Sequence, residues 1–129
     1  MRVLIVEDSD SIVRMIEALV AARGFEVRSA ASGAKGIEEA LAWQPDIVLL
    51  DINLPGSFDG VAVTQKLRAE PATHDTPIII ISAVNDDEVK RRVYDAGATA
   101  FFEKPFSPLA LLKEIESLMR RSGRIPISK

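Results

Sequence analysis

Two stretches in the middle of this chain, Ile47-Val48-Leu49-Leu50 and Ile78-Ile79-Ile80-Ile81, are apolar at every position. Both are short, bounded by turn residues and rich in branched side chains, which reads as strand rather than helix. Successive side chains of a strand point to opposite faces, so a strand that is apolar at every position must be covered on both sides. The first run ends in Asp51 and breaks into Asn53-Leu54-Pro55-Gly56, and the second ends in Ser82-Ala83. In an open parallel sheet the carboxyl ends of the strands are where ligands and chemistry sit. Asp51 is therefore the residue to explain.

The rest of the chain supplies the covering helices and three further strands. Val3 to Val6 is a strand ending in Glu7-Asp8, a second acidic strand end. Ile12, Ile16, Leu19 and Val20 recur at helical spacing and predict a helix over residues 11–23, capped by Ser9 or Asp10 and stopped at Gly24. Residues 25–30 alternate with one polar face, as an edge strand should. Ser32 caps a helix over residues 34–43 with Ile37, Ala40 and Leu41 inward, ended by Pro45. A third helix opens near Phe58 or Asp59 and covers residues 61–69. Asn85 or Asp86 caps a fourth that stops at Gly97, with Asp87, Glu88, Lys90, Arg91 and Arg92 as a solvated face.

Residues 99–102 form a last strand before Glu103-Lys104-Pro105. The final helix starts at Ser107 or Pro108 and carries Leu109, Leu112, Ile115, Leu118 and Met119 as its apolar stripe. From Arg120 the pattern stops and the chain is expected to fray. Trp43, Phe102 and Phe106 read as packing, and His74 as a surface loop residue.

Strand and helix alternate five times, which implies a parallel sheet with right-handed crossovers on both faces. The pattern does not force the strand order. The flavodoxin-like order 2-1-3-4-5 would set the first and third strands side by side and bring Glu7, Asp8 and Asp51 together at the switch point.

A length of 129 residues leaves room for one domain, and 27% charged with 47% hydrophobic residues is the balance of a soluble globular protein. A net charge of −3 argues against binding nucleic acid through its phosphates. The absence of cysteine excludes disulfides and thiolate metal sites, and no run reaches signal-peptide or transmembrane length. The expected location is the cytoplasm.

Three carboxylates in one crevice repel, and either protonation or a cation relieves them. Hard oxygen donors point to magnesium, which accepts one or two carboxylates with waters and a substrate phosphate. An aspartate can act as nucleophile toward a phosphoryl group while a metal and a fixed cation handle the charge. Ser82 and Lys104, at the ends of two other strands, are a hydroxyl and a cation within reach of phosphoryl oxygens.

Taken in order, Glu7-Asp8, the apolar strand into Asp51, Leu54-Pro55, Asp59-Gly60, Ile81-Ser82-Ala83, Ala96-Gly97-Ala98 and Lys104-Pro105-Phe106 resemble the receiver domain of two-component response regulators. The resemblance runs from about residue 2 to 120. It implies an α/β fold of the flavodoxin-like, doubly wound (βα)5 kind, a three-layer sandwich on a parallel five-stranded sheet of order 2-1-3-4-5. It also implies a receiver over residues 1–122 and a flexible tail over 123–129.

By the same resemblance, Asp51 takes a phosphoryl group from a histidine kinase or histidine phosphotransfer protein. Asp8, Asp51 and the backbone carbonyl of Asn53 ligate Mg2+, with Glu7 acting through water. Ser82 and Lys104 meet the phosphoryl group, and Ser82 with Phe101 forms the switch toward the surface of the fourth helix, fifth strand and fifth helix. Apart from the resemblance, Asn53 and Val84, two residues beyond Asp51 and Ser82, are expected to flank the path of the attacking water and to tune the lifetime. The Lys104–Pro105 bond is expected to be cis. The protein is expected to be a phosphoacceptor rather than an enzyme, a stand-alone monomer or a dimer formed on phosphorylation, with no membrane insertion.

Two departures stand out: the loop over residues 55–60 is one residue longer than the commonest form, and position 101 holds Phe where Tyr is commoner. Other classes fit the residues less well. An aspartate-nucleophile phosphohydrolase wants a second acid where Asn53 stands. A nucleotide binder wants a glycine-rich loop where Glu7-Asp8 stands. A phosphate-independent interaction module would not need Asp8, Asp51, Ser82 and Lys104 together.

Overall fold

A computed structural model of the chain describes residues 1–84 and 86–123. Strands form where the branched and leucine runs predict them: β1 (Arg2–Val6), β2 (Glu26–Ala30), β3 (Ile47–Asp51), β4 (Ile78–Ser82) and β5 (Ala100–Glu103). Helices α1 (Asp10–Ala21), α2 (Gly33–Trp43), α3 (Gly60–Ala69) and α4 (Asp87–Ala96) connect them, and α5 (Pro108–Arg121) follows β5. All pairings are parallel and the order is β2-β1-β3-β4-β5, the flavodoxin-like order.

The uninterrupted apolar runs do what their composition requires. Leu4, Val6, Val48, Leu50, Ile78 and Ile80 point to one face and pack on Ile37, Ala40 and Trp43 of α2, Val63 and Leu67 of α3 and Val93 of α4. Val3, Ile5, Ile47, Leu49, Ile79 and Ile81 point to the other face, against Ile16 and Val20 of α1 and Leu111, Ile115, Leu118 and Met119 of α5. Each fully buried Leu or Ile is worth about 1.5–3 kcal/mol of transfer free energy, so β3 and β4 anchor both layers.

Helix starts are fixed by side-chain caps. Ser32, Asp59, Asp86 and Ser107 accept the backbone N–H of Lys35, Ala62, Val89 and Ala110 at 3.3, 2.9, 2.8 and 3.3 Å. Asp86, of the two residues expected at the start of α4, is the cap; Asn85 lies outside the described residues. Ser9 occupies the N-cap position of α1 without a side-chain cap bond.

Two expectations about α5 are corrected. Leu109 does not face the core: it is 63% exposed, whereas Leu111 is fully buried. At about 100° per residue Leu109 lies roughly 120° round the helix from Ile115, outside the stripe formed by 111, 112, 115, 118 and 119. The chain does not leave the helix at Arg120, because α5 includes Arg120 and Arg121 and its C-cap is Ser122. The remainder of the expected tail, 124–129, lies outside the described residues.

Packing gives the other aromatic residues their places. Trp43 is nearly buried, its ring flanked by the Arg2 and Arg28 guanidinium groups at 5.5 and 4.8 Å. Phe102 and Phe106 are half-buried on the α1/α5 face, edge to face with centroids 6.5 Å apart. His74 is a surface residue, beside Asp75 at 3.0 Å.

Candidate functional site

The register of the sheet builds the site. Val6 pairs with Leu50 and Asp51 with Ile81, so Glu7, Asp51 and Ser82 reach the same rim within one residue of one another. Strand-end residues there lose the cover of a neighbouring helix turn but keep that of the layers beneath. Glu7 and Asp51 are accordingly 5% and 6% exposed, and Ser82 is fully buried. Asp8, the next residue along, is exposed. A carboxylate oxygen from each of Glu7, Asp8 and Asp51 lies within 4.8 Å of the others.

A glycine lets the next helix close onto this rim. The Gly60 N–H donates to the Ile52 carbonyl at 2.9 Å, and a Cβ at position 60 would fall 2.6 Å from the Asp51 carbonyl oxygen. The start of α3 thus rests directly on the backbone that carries Asp51. The long loop before it packs on α2 in the same way, since a Cβ at Gly33 would fall 2.3 Å from the Phe58 carbonyl oxygen.

The Lys104 side chain is delivered from the end of β5, where the Lys104 backbone N–H donates to the Ser82 carbonyl at 2.8 Å. Its Nζ sits 2.7 Å from Glu7 Oε1 and 3.5 Å from Asp51 Oδ2. The second Glu7 oxygen accepts the Ser9 N–H at 3.1 Å, and Asp51 Oδ1 accepts the Asn53 N–H at 3.4 Å. The Ser82 hydroxyl accepts the Val84 N–H at 3.0 Å, a bond that does not use its own proton.

The electrostatics of the group are uneven. Burial, and next the charge of Glu7, push the Asp51 carboxyl up to about 6, and Lys104 at 3.5 Å only partly offsets them. Burial also acts to raise Glu7, but the hydrogen bonds from Lys104 and Ser9 and the lysine charge outweigh it and hold Glu7 below the usual carboxylate range. Burial acts to lower Lys104; the hydrogen bond to Glu7 and the charges of Asp51 and Glu7 win, and its pKa is raised. Glu7 and Lys104 therefore form the tighter ion pair, and Asp51 carries a charge that Lys104 only partly offsets. Oxygen donors, negative excess and one buried aspartate without a full counter-charge are what a hard divalent cation fits.

Comparison with known proteins decides the family. The profile of the response regulator receiver domain matches residues 3–116. The chain belongs to the response regulator receiver family.

This receiver is 37% identical over 124 residues to the regulatory protein VanRB of Enterococcus faecalis, covering 96% of the chain and 54% of the relative. It is 34% identical over 125 residues to the DNA-binding dual master transcriptional regulator RpaA of Synechocystis sp., covering 97% and 52%. Among solved structures, the chemotaxis protein CheY4 of Vibrio cholerae superposes with a TM-score of 0.84 at 31% identity, covering 90% of this chain and 96% of that one. The chain spans about half the length of those two curated relatives.

Of the remaining residues singled out in the sequence, Asn53 and Val84 lie at the same rim and Phe101 lies two positions below it on β5, opposite Ile80. Asn53 is exposed beside Asp51, and Val84 is 38% exposed just beyond Ser82. Phe101 is half-buried against the α2–α4 layer, with the Lys90 ammonium 5.6 Å from its ring centroid. The Lys104–Pro105 peptide of the receiver is cis. Sequence reasoning missed the direct pairing of Lys104 with Glu7 and the cation over Phe101. It also missed Arg68, whose position in the last turn of α3 gives no hint of its contacts. Among the described residues no helix is long and apolar enough to cross a membrane.

Proposed function

We propose that Asp51 is the phosphoacceptor of this receiver, taking a phosphoryl group from a phosphohistidine on a histidine kinase or histidine phosphotransfer protein. The observation that carries the reading is a nearly buried strand-end aspartate with Glu7 and Asp8 oxygens within 4.8 Å and the Lys104 ammonium at 3.5 Å. An Asp51 carboxylate oxygen forms the new bond to phosphorus while the P–N bond to the donor imidazole breaks. The imidazole leaves with the bonding pair and takes up a proton. Asp8, Asp51 and the Asn53 carbonyl would hold Mg2+, with Glu7 acting through water. Bound there, the ion would offset the clustered carboxylates and the charge on the transferring phosphoryl oxygens.

Lys104 is positioned to exchange its contact with Glu7 for one with the phosphoryl group, and the Ser82 hydroxyl to donate a hydrogen bond to it. Both groups meet the phosphoryl group only in the modified state, so they bias the protein toward a second packing in which Phe101 and the α4–β5–α5 surface change. Tyr94 and Leu109, 47% and 63% exposed, are apolar contact points on that surface for a downstream protein or for a second copy after phosphorylation. The donor protein docks beside the site, where Ile12, Met15, Ala83, Pro105 and Phe106 line a hollow of about 380 Å3 with Lys104 at its edge. The protein acts in the cytoplasm and holds its phosphoryl group rather than turning over a substrate. Asn53 and Val84 set how long it is held.

The test is intact mass after incubation with acetyl phosphate, with and without Mg2+, for the native chain and Asp51→Asn. A gain of one phosphoryl group that requires both magnesium and Asp51 is expected. No gain under any condition would replace this reading with that of an interaction module that works without phosphate.

A further inference from the structure

Among the described residues, α4 is the helix with the fewest buried residues: Val93, near its C-terminal end, stands alone, whereas α1 buries Ile16 and Val20 and the other helices bury more. Its two ends are held very differently. The N-terminal end follows a segment in which Ala83 and Val84 are exposed, and its cap bond from Val89 to Asp86 is local. The C-terminal end closes through Ala98 N–H to Val93 O and Gly97 N–H to Tyr94 O, both at 3.0 Å, with Gly97 in the left-handed region at φ 111°.

One side chain from another helix fastens that end. The Arg68 Nε donates to the Gly97 carbonyl at 2.9 Å. Its Nη1 donates to the carbonyls of Thr76, His74 and Thr73 at 2.7, 3.0 and 3.2 Å, and its Nη2 reaches the Thr99 hydroxyl at 3.4 Å. Thr99 is tied in turn to β4, its N–H donating to Ile78 O at 2.8 Å and its hydroxyl accepting Ile78 N–H at 3.0 Å. Only glycine fits where the stem passes, since a Cβ at position 97 would fall 2.8 Å from Arg68 Cγ. A planar guanidinium with five N–H donors can bridge three chain segments at once; an ammonium cannot hold that fork geometry.

We propose that Arg68 is the hinge pin of α4. It fixes the end of the helix around Val93 and Gly97 to the loop before β4, so that a change of state at the Ser82 end is taken up as a swing of the N-terminal turns. Hinges of this kind sit at element ends, and the least packed segment is the one that moves. The swing rests on the phosphoacceptor reading for its trigger; the fastening does not.

Hydrogen exchange followed by mass spectrometry on the full chain tests both parts. In the ligand-free protein, Arg68→Met should speed exchange over residues 93–99 and 73–76 roughly tenfold or more while β1 and β3 stay as they were. Arg68→Lys, which keeps the charge and stem, should fall between. In the native chain, beryllofluoride with Mg2+ should change exchange over residues 86–91 and leave 93–99 alone; in Arg68→Met the change should spread through residue 97. Unchanged exchange at 93–99 in Arg68→Met would overturn the fastening, as would an equal rise throughout β1 and β3 in both variants. A native response to beryllofluoride as large at 93–99 as at 86–91 would overturn the swing. No response anywhere would remove the phosphoacceptor reading and the swing with it, while the ligand-free comparison still decides the fastening.

Discussion

Replacing Asp51 by Asn should make the divalent-free protein more stable. In the folded chain the carboxyl titrates near 6, against 3.8 for an unperturbed aspartate. Between those two values the folded state holds a proton that the unfolded state has released, so raising the pH across this window weakens the native protein. Above it the ionised carboxylate costs about 3 kcal/mol. With Asp51 only 6% exposed, little of this is screened by solvent. Asparagine has the same shape and keeps an oxygen to accept the Asn53 N–H. A gain of about 2–3 kcal/mol is therefore expected at pH 7.5, which is about 7–11 °C in melting temperature or roughly 1–1.5 M in the urea midpoint. At pH 4.5 the gap should shrink to about 1 kcal/mol, and it should vanish below the unperturbed aspartate value. Excess Mg2+ should raise the native midpoint and leave that of the variant nearly unmoved. Urea unfolding from pH 4.5 to 8 measures all of this. A variant no more stable than the native chain at pH 7.5, or a gap of constant size across the range, would mean that the buried Asp51 charge does not strain the fold.

Gly60→Ala sets a methyl group against backbone at Asp51 and Ile52 that cannot turn aside, so it should cost about 1–3 kcal/mol in chemical unfolding and slow phosphorylation by acetyl phosphate even at full folding. Leu111→Ala should cost about 2–5 kcal/mol while Leu109→Ala, two residues away, stays within about 0.5 kcal/mol; the reverse order would contradict the rotation assigned to α5. Val84, 38% exposed beyond Ser82, offers no group to orient water. A polar residue there should change the dephosphorylation rate followed by phosphate release, and an identical rate would remove Val84 from the lifetime-tuning set.

The strands and the site rim were legible in the sequence because both follow from local rules. A run of apolar residues on both faces demands two helical layers, and the residue that ends such a run emerges at the edge, which places Asp51 and Ser82 without knowledge of the rest. Legibility failed where the answer depends on angle or on distant partners. Leu109 matches the composition of its helix but not the 100° step that sets the buried face. Lys104 could be placed at a strand end, but its choice of Glu7 over Asp51 depends on where β1 and β5 stand across the sheet. Arg68, in the last turn of α3, reads as an ordinary basic residue near a helix C-terminus. Its acceptors lie on two loops that only the folded chain brings under it.

The parallel sheet also sorts what can be attached to this molecule without harm. Strands run toward the carboxylate rim and helices run back, so β1 starts at the opposite rim and α5 ends there. Met1 O accepts from Glu26 N–H at the foot of the sheet, and Arg121 and Ser122 line a hollow there with Asp75, Pro77 and Thr99. A fusion partner or surface tether joined at Met1 or just beyond Ser122 would leave from the side away from Asp51. Immobilised by either of those points, the molecule presents its reactive edge outward, which suits it to a sensor chip on which the phosphodonor arrives from solution.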